Sequence, residues 1–162
     1  MNQFFASIFA VWCINATALD FKGIVVGEVF TREKVESAIA GKCGQTWTPK
    51  EFVCSSSIEF DANQASVVVI ISKKGIIDRI DLFLDGNREQ AYRGMLTRLG
   101  KPTLLSTNTD VDIRDKPRTW IVNSWDLGAN VRASIRWNTT QPKKSFIYYN
   151  TKEEGDRMGG NR

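Results

Sequence analysis

The stretch from Ser66 to Pro102 reads SVVVIISKKGIIDRIDLFLDGNREQAYRGMLTRLGKP. It begins with two apolar runs joined by a three-residue turn, a pattern that predicts a β-hairpin in which Gly75 supplies the positive φ of the turn. An amphipathic helix follows, and it should end at Gly100 because glycine favours a helix C-terminus and Pro102 cannot continue the helix. We expect this helix to cover the apolar face of the hairpin, so that the unit forms the densest part of the core.

The N-terminus has the layout of a secretory leader. Residues 4–14 form an uncharged apolar run, and Ala16-Thr17-Ala18 has the small-x-small pattern of a cleavage site. The run has about a dozen residues, too few to span roughly 30 Å of hydrocarbon. The sequence therefore predicts a signal peptide over residues 1–18. The alternative is a buried N-terminal strand or helix, which the absence of Lys and Arg before the apolar run would favour.

Removal of the leader would leave Cys43 and Cys54 as the two cysteines of the mature chain. An even pair in an exported protein predicts a disulfide, and hence a periplasmic or secreted protein. The chain-entropy model gives such a short loop about 3 kcal/mol of stabilisation. A redox or metal-binding pair is the alternative, but the sequence contains no histidine to complete a metal site.

Length and composition predict a single folded domain over residues 19–150. Residues 151–162 are charged and rich in glycine, which predicts a disordered tail. The net charge of +4 is mild and basic residues alternate with acidic ones, which favours a solvated mixed surface; the alternative is weak attraction to an acidic partner, such as an anionic envelope polymer or an acidic protein surface. Export and the lack of a basic run argue against nucleic acid binding. No segment after the leader is apolar enough to span a membrane, and nothing in the sequence indicates the oligomeric state.

The remaining patterns predict the fold class. A first helix should run over residues 32–40, and three strands over residues 119–127, 131–137 and 145–150, whereas the polar residues 106–118 predict a loop. The sequence thus predicts an α+β fold with an antiparallel sheet of about five strands and two helices packed on one face. Helix followed by strands occurs twice, which suggests a degenerate tandem α-β-β repeat.

Two short motifs carry a resemblance to a known superfamily. They are Gly27-x-x-x-Thr31-Arg-Glu-x-Val35 and the helix end Leu99-Gly100-Lys-Pro102. Together they resemble the small exported modules of the outer-membrane assembly lipoprotein and β-lactamase-inhibitor superfamily. The resemblance implies an α+β fold that acts by protein–protein contact without catalysis. Two features depart from it: the Leu-Gly-x-Pro end belongs to the second helix, and there is no lipid-anchor cysteine.

The search for catalytic chemistry is mostly negative. The absence of histidine excludes Ser-His-Asp and Cys-His arrangements. Asp110, Asp112 and Asp115 lack the glycine and the closing glutamate of a calcium loop, so we predict no cofactor and no metal. A carboxylate-based hydrolase of cell-wall glycan is the alternative, since that chemistry needs only two carboxylates, about 5 to 9.5 Å apart.

Aromatic residues and arginines are concentrated in the C-terminal strands. Strand alternation places Arg132 and Arg136 on the face away from the helices, together with at least one tryptophan and one tyrosine. These residue types dominate protein–protein hot spots. The candidate partner-binding residues are Trp120, Trp125, Arg132, Arg136, Tyr148 and Tyr149. The sequence thus predicts a non-catalytic module that binds another envelope or secreted protein, as an inhibitor, immunity or assembly factor. Alternatively, the aromatic residues close a small core and the arginines keep the surface soluble.

Overall fold

A computed structural model describes residues 20–45, 52–112, 114–141 and 143–159. The predicted signal peptide lies outside the described residues. The elements are β1 (Asp20–Phe21), β2 (Ile24–Val25), α1 (Arg32–Ile39), β3 (Lys42–Gln45), β4 (Phe52–Phe60), β5 (Asn63–Ile71), β6 (Ile77–Asp85), α2 (Arg88–Leu99), β7 (Leu104–Val111), β8 (Pro117–Asp126), β9 (Val131–Asn138), β10 (Lys144–Thr151) and α3 (Lys152–Gly159).

Eight of the described strands form one antiparallel sheet, in the order β3-β4-β5-β6-β10-β9-β8-β7. Each half is a four-stranded meander that follows a helix, α1 for the first half and α2 for the second. The last strands of the two halves, β6 and β10, pair at the centre, where Leu82 lies opposite Ile147. Strands β1 and β2 form a separate short ribbon.

The predicted fold class was wrong. About 55% of the described residues are strand, and their sheet has eight strands, not about five, with three short helices. The repeated unit is a helix with four strands, where the sequence suggested a helix with two. The predicted loop over residues 106–118 contains most of β7 and the start of β8. Because β7 is an edge strand with mostly exposed side chains, polar residues suffice there and no apolar alternation marks it.

The core lies on the sheet face that α1 and α2 cover. Val35 and Ile39 of α1 and Ala91 and Met95 of α2 are fully buried against it. The facing strand residues are alternate positions of the central strands, such as Val67 and Val69 of β5 and Ile80 and Leu82 of β6. Because successive side chains of a strand point to opposite faces, the residues between these positions lie on the face that α1 and α2 do not cover. We call that opposite side the open face.

Lys152–Gly159 forms a helix within the stretch where the sequence predicted a disordered tail. Helix α3 begins after Thr151, whose hydroxyl accepts a hydrogen bond from the Glu154 N–H at 3.2 Å. The Glu154 carboxylate lies 3.0 Å from Nη1 of Arg79 in β6, on the open face. A cap and a tertiary ion pair stabilise α3. The helix therefore does not need the apolar periodicity by which a helix is recognised in a sequence.

Cys43 and Cys54 lie directly opposite each other in β3 and β4, with 3.9 Å between their Cα atoms, and form a disulfide. The predicted disulfide is thus consistent with the structure, and it hints at an oxidising environment. Residues 46–51 of the loop that it closes lie outside the described residues. In the part of the chain that the structure describes, no helix is long and apolar enough to cross a membrane.

Candidate functional site

The centre of the open face carries an aromatic cluster, which consists of Phe83, Trp120, Arg136, Phe146 and Tyr148. Strand pairing assembles it: Phe146 of β10 lies opposite Phe83 of β6 on one side and opposite Arg136 of β9 on the other. Trp120 comes from β8 and Tyr148 from β10, two residues after Phe146. Four neighbouring strands therefore contribute to one continuous patch.

Arg136 is the residue around which the cluster is arranged. Its guanidinium carbon lies 5.0 Å from the ring centre of Trp120, 5.4 Å from that of Phe146 and 4.8 Å from that of Tyr148. The ring of Phe83 packs edge-on against Phe146, with 5.6 Å between the ring centres. A cation within about 6 Å of a ring face gains roughly 0.5–2 kcal/mol, so three rings hold this side chain in one position.

Arg136 forms no direct ion pair with a carboxylate in the described part of the chain, although its charge acts on the buried Asp81 nearby. Its Nε is buried without a hydrogen-bond partner, and its guanidinium forms no ion pair there. A buried donor without a partner costs about 1–3 kcal/mol, so native proteins seldom keep one without a reason. Three rings contact the guanidinium directly, and the Asp81 carboxylate acts on its charge without a direct ion pair.

A charged cluster of Arg79, Asp81 and Glu154 lies beside the aromatic cluster. Arg79 Nε donates a hydrogen bond to Asp81 Oδ2 at 3.1 Å and lies 2.9 Å from Oδ1, while Nη1 of Arg79 contacts Glu154. Burial raises the pKa of Asp81 to about 6, although Arg79 and Arg136 act in the opposite direction. Burial also raises the pKa of Tyr148. Asp81 therefore changes its charge at mildly acidic pH, next to the aromatic cluster.

The edge strand β7 fixes the position of Trp120. The indole Nε1 donates a hydrogen bond to Asp110 Oδ2 at 3.1 Å. Arg118 binds the same carboxylate through two hydrogen bonds of 2.9 Å, and its guanidinium lies 5.6 Å from the centre of the indole ring. These contacts hold the Trp120 side chain in one position on the open face.

The structure separates the predicted partner-binding residues into two groups. Trp120, Arg132, Arg136 and Tyr148 lie on the open face. Arg132 is at the start of β9, next to α3, away from the aromatic cluster.

Trp125 and Tyr149 belong to the core under α2 and take no part in the open face. Trp125 is 1% exposed and donates a hydrogen bond to the Gly100 carbonyl at 2.9 Å. Tyr149 is 2% exposed and its hydroxyl donates to Met95 Sδ at 3.4 Å. Strand alternation had required such a division, since the two residues of each aromatic pair fall on opposite faces.

Sequence reasoning missed five residues of the open-face site: Phe83, Phe146, Arg79, Asp81 and Glu154. Phe146 could have been found, because it stands two residues before Tyr148 and must share its face. Phe83 shares a face with Arg79 and Asp81 for the same reason. Nothing in the sequence shows that β6 pairs with β10. The proximity of Phe83, Arg79 and Asp81 to the aromatic cluster could therefore not be predicted.

Comparisons with protein-family models, with curated proteins and with solved structures found no match. Among the described residues, no group of three His, Cys, Asp or Glu side chains is placed to hold a metal ion. The candidate site is therefore interpreted from its own geometry.

Proposed function

We propose that this protein is an exported, non-catalytic binding module whose open face contacts an acidic surface of another envelope or secreted protein. The observation that carries the proposal is the position of Arg136, enclosed by three aromatic rings and without an ion-pair partner among the described residues. An inhibitor, immunity or assembly factor would act in this way.

The composition of the site supports binding of a protein surface. Tryptophan, tyrosine and arginine are the residue types most enriched in interface hot spots. Phe83 is 39% exposed, although it is a large apolar side chain at the centre of a sheet face. A partner that covered Phe83 and Trp120 would remove apolar surface from water and would exclude solvent from Arg136.

Charge supports an acidic partner. The chain has a net charge of +4. A carboxylate of the partner would find in Arg136 a guanidinium that is already desolvated on its ring-covered faces, so that less hydration is lost on binding. The resemblance to the assembly-lipoprotein and inhibitor superfamily is in keeping with this proposal and stays a prediction.

Capture from the native host tests the proposal. Immobilised wild-type protein is exposed to an envelope and secreted fraction, and bound proteins are identified by mass spectrometry. Arg136→Glu should lose the specific partner, because it places a negative charge in the contact. Phe83→Ser should weaken the capture through lost apolar contact, because Phe83 is 39% exposed on the open face.

Arg93→Glu is the matched control. Arg93 lies on α2, on the other side of the sheet, with its side chain 75% exposed. The control should capture the same protein as the wild type. If Arg136→Glu and Phe83→Ser, both folded by circular dichroism, retain every protein that the wild type captures, the open face is not the binding site.

Hydrolysis of cell-wall glycan is the second candidate function. A cavity of about 590 Å³ is lined by Asp78, Glu153 and Glu154, among other residues. Binding is preferred because the Glu154 carboxylate is already engaged in an ion pair with Arg79 at 3.0 Å. Release of reducing sugar from purified cell-wall glycan would distinguish the two functions.

A further inference from the structure

Strand β7 has an exposed outer edge in the described part of the chain. It is the last strand of the eight-stranded sheet of the described residues, where β8 is its one strand neighbour. Three of the five exposed large apolar side chains among the described residues belong to β7: Leu104 is 57% exposed, Leu105 67% and Val111 57%. A long edge strand with exposed apolar side chains is a site at which another strand can pair.

β7 lacks the features by which proteins usually protect an edge strand. Leu104–Val111 contains no lysine, arginine or proline, and its pairing with β8 runs without a bulge. Its one charged side chain, Asp110, accepts two hydrogen bonds of 2.9 Å from Arg118 of the same sheet. The opposite edge strand β3, by contrast, has four residues, among them Lys42 and Gly44. The edge of β7 is therefore the one at which this sheet can be extended.

The backbone groups on the outer edge follow from the pairing of β7 with β8. The Asp112 N–H donates to the Lys116 carbonyl at 2.9 Å, and this pair continues the register of the two strands. In an antiparallel ladder, successive residues direct their N–H and carbonyl groups alternately to the two sides of the strand. The even-numbered residues of β7 therefore bond to β8. The residues whose N–H and carbonyl groups point outward are Leu105, Thr107, Thr109 and Val111.

These outward residues are complementary to those of a second copy of β7. When two copies run antiparallel with Asn108 at the centre, Leu105 lies opposite Val111 of the second copy, so the two exposed apolar side chains cover each other. Thr107 lies opposite Thr109 of the second copy, and threonine pairs are favourable across strands. By symmetry each of these pairs occurs twice, and each exchanges two backbone hydrogen bonds.

The side chains on the other face of β7 fit the same register. Ser106 lies opposite Asp110 of the second copy, where its hydroxyl can donate to the carboxylate, and the two Asn108 side chains meet on the symmetry axis. No like charges lie opposite each other within the paired strands. A shift of the centre by one residue toward the N-terminus would separate the two apolar positions and leave Val111 outside the pairing.

We propose that this protein forms a symmetric dimer in which the β7 strands of two copies pair antiparallel and join the two sheets into one. The two-fold axis runs through the pair of Asn108 residues, perpendicular to the sheet, so both open faces lie on the same side of the dimer. A second copy is preferred to an extended segment of another protein because β7 itself supplies a complementary residue at each paired position from 105 to 111. This inference does not depend on the proposed function, since Arg136 lies in β9, two strands away from β7.

Sedimentation velocity of the full chain at a series of concentrations tests the proposal. The wild type should change from monomer to dimer with a Kd on the order of 10 μM, because one pair of edge strands buries less surface than a standard interface. Leu105→Lys combined with Val111→Lys should weaken dimerisation by at least about tenfold, since it places like charges opposite each other. Val29→Lys is the matched control, because Val29 is 74% exposed and bridges to Ile76, outside β7, and this variant should dimerise like the wild type.

A mixing experiment tests the register. Leu105→Glu combined with Val111→Glu should also be monomeric alone, but an equal mixture with the lysine double variant should form a heterodimer, because opposite charges then face each other at both positions. Hydrogen exchange needs no variant: the amides of Thr107 and Thr109 in the wild type should exchange more slowly as the protein concentration rises. A wild type that stays monomeric, a folded lysine double variant that dimerises like the wild type, or a mixture that does not associate would show that the proposal is wrong.

Discussion

Replacement of Asp81 by Asn should change how the free energy of unfolding depends on pH. Asp81 is 4% exposed, and burial raises its pKa from 3.8 to about 6. Between these two values the folded protein holds a proton that the unfolded chain releases. Stability from this group is therefore present at low pH and is lost as the pH rises through the window.

The size of the effect follows from the shift. A shift of roughly two pKa units corresponds to about 3 kcal/mol, so the wild type should lose up to about 3 kcal/mol from this group between about pH 4 and pH 7. Asp81→Asn has no titrating group at this position, so its free energy of unfolding should not fall over this pH range on account of residue 81. Arg79 still has Glu154 as a partner in the variant, which limits secondary damage.

Urea unfolding at several pH values across this window measures the effect. The difference in stability between wild type and Asp81→Asn should favour the wild type progressively less as the pH rises. Asp85→Asn is the control for the loss of one negative charge, since Asp85 is an exposed residue at the end of the same strand. Parallel stability curves for wild type and Asp81→Asn would refute the argument from burial.

Two further predictions concern stability. Arg98→Ala should lower the free energy of unfolding, measured in urea, by about 1 kcal/mol, because Arg98 binds the Asp61 carboxylate through two hydrogen bonds of 2.8 Å. Arg93→Ala, which removes a mostly exposed ion pair, should lower it by less than about 0.5 kcal/mol. An equal cost for the two variants would contradict this. Reduction of the Cys43–Cys54 disulfide, or its replacement by two serines, should lower the free energy of unfolding by about 3 kcal/mol, and a stability unaffected by reductant would show that the bridge is not formed.

Local signals in the sequence were sufficient for several elements. Gly75 has a φ of 73° in the predicted β5–β6 turn. Helix α2 begins after Asn87, whose side chain accepts a hydrogen bond from the Gln90 N–H, and it ends at Leu99, before the predicted Gly100. These features were predictable because a cap or a turn is decided by residues a few positions apart. The disulfide was predictable from the number of cysteines and the expected export.

The open-face site depended on contacts that no local pattern contains. Pairing of β6 with β10 brings Phe83 next to Phe146, and pairing of β8 with β9 brings Trp120 to Arg136. The sequence by itself determined which side chains alternate along each strand, since the period of two is a property of the extended backbone. Only the tertiary structure decided which strands become neighbours, because the gain from burying the two halves on one core depends on residues far apart in the chain.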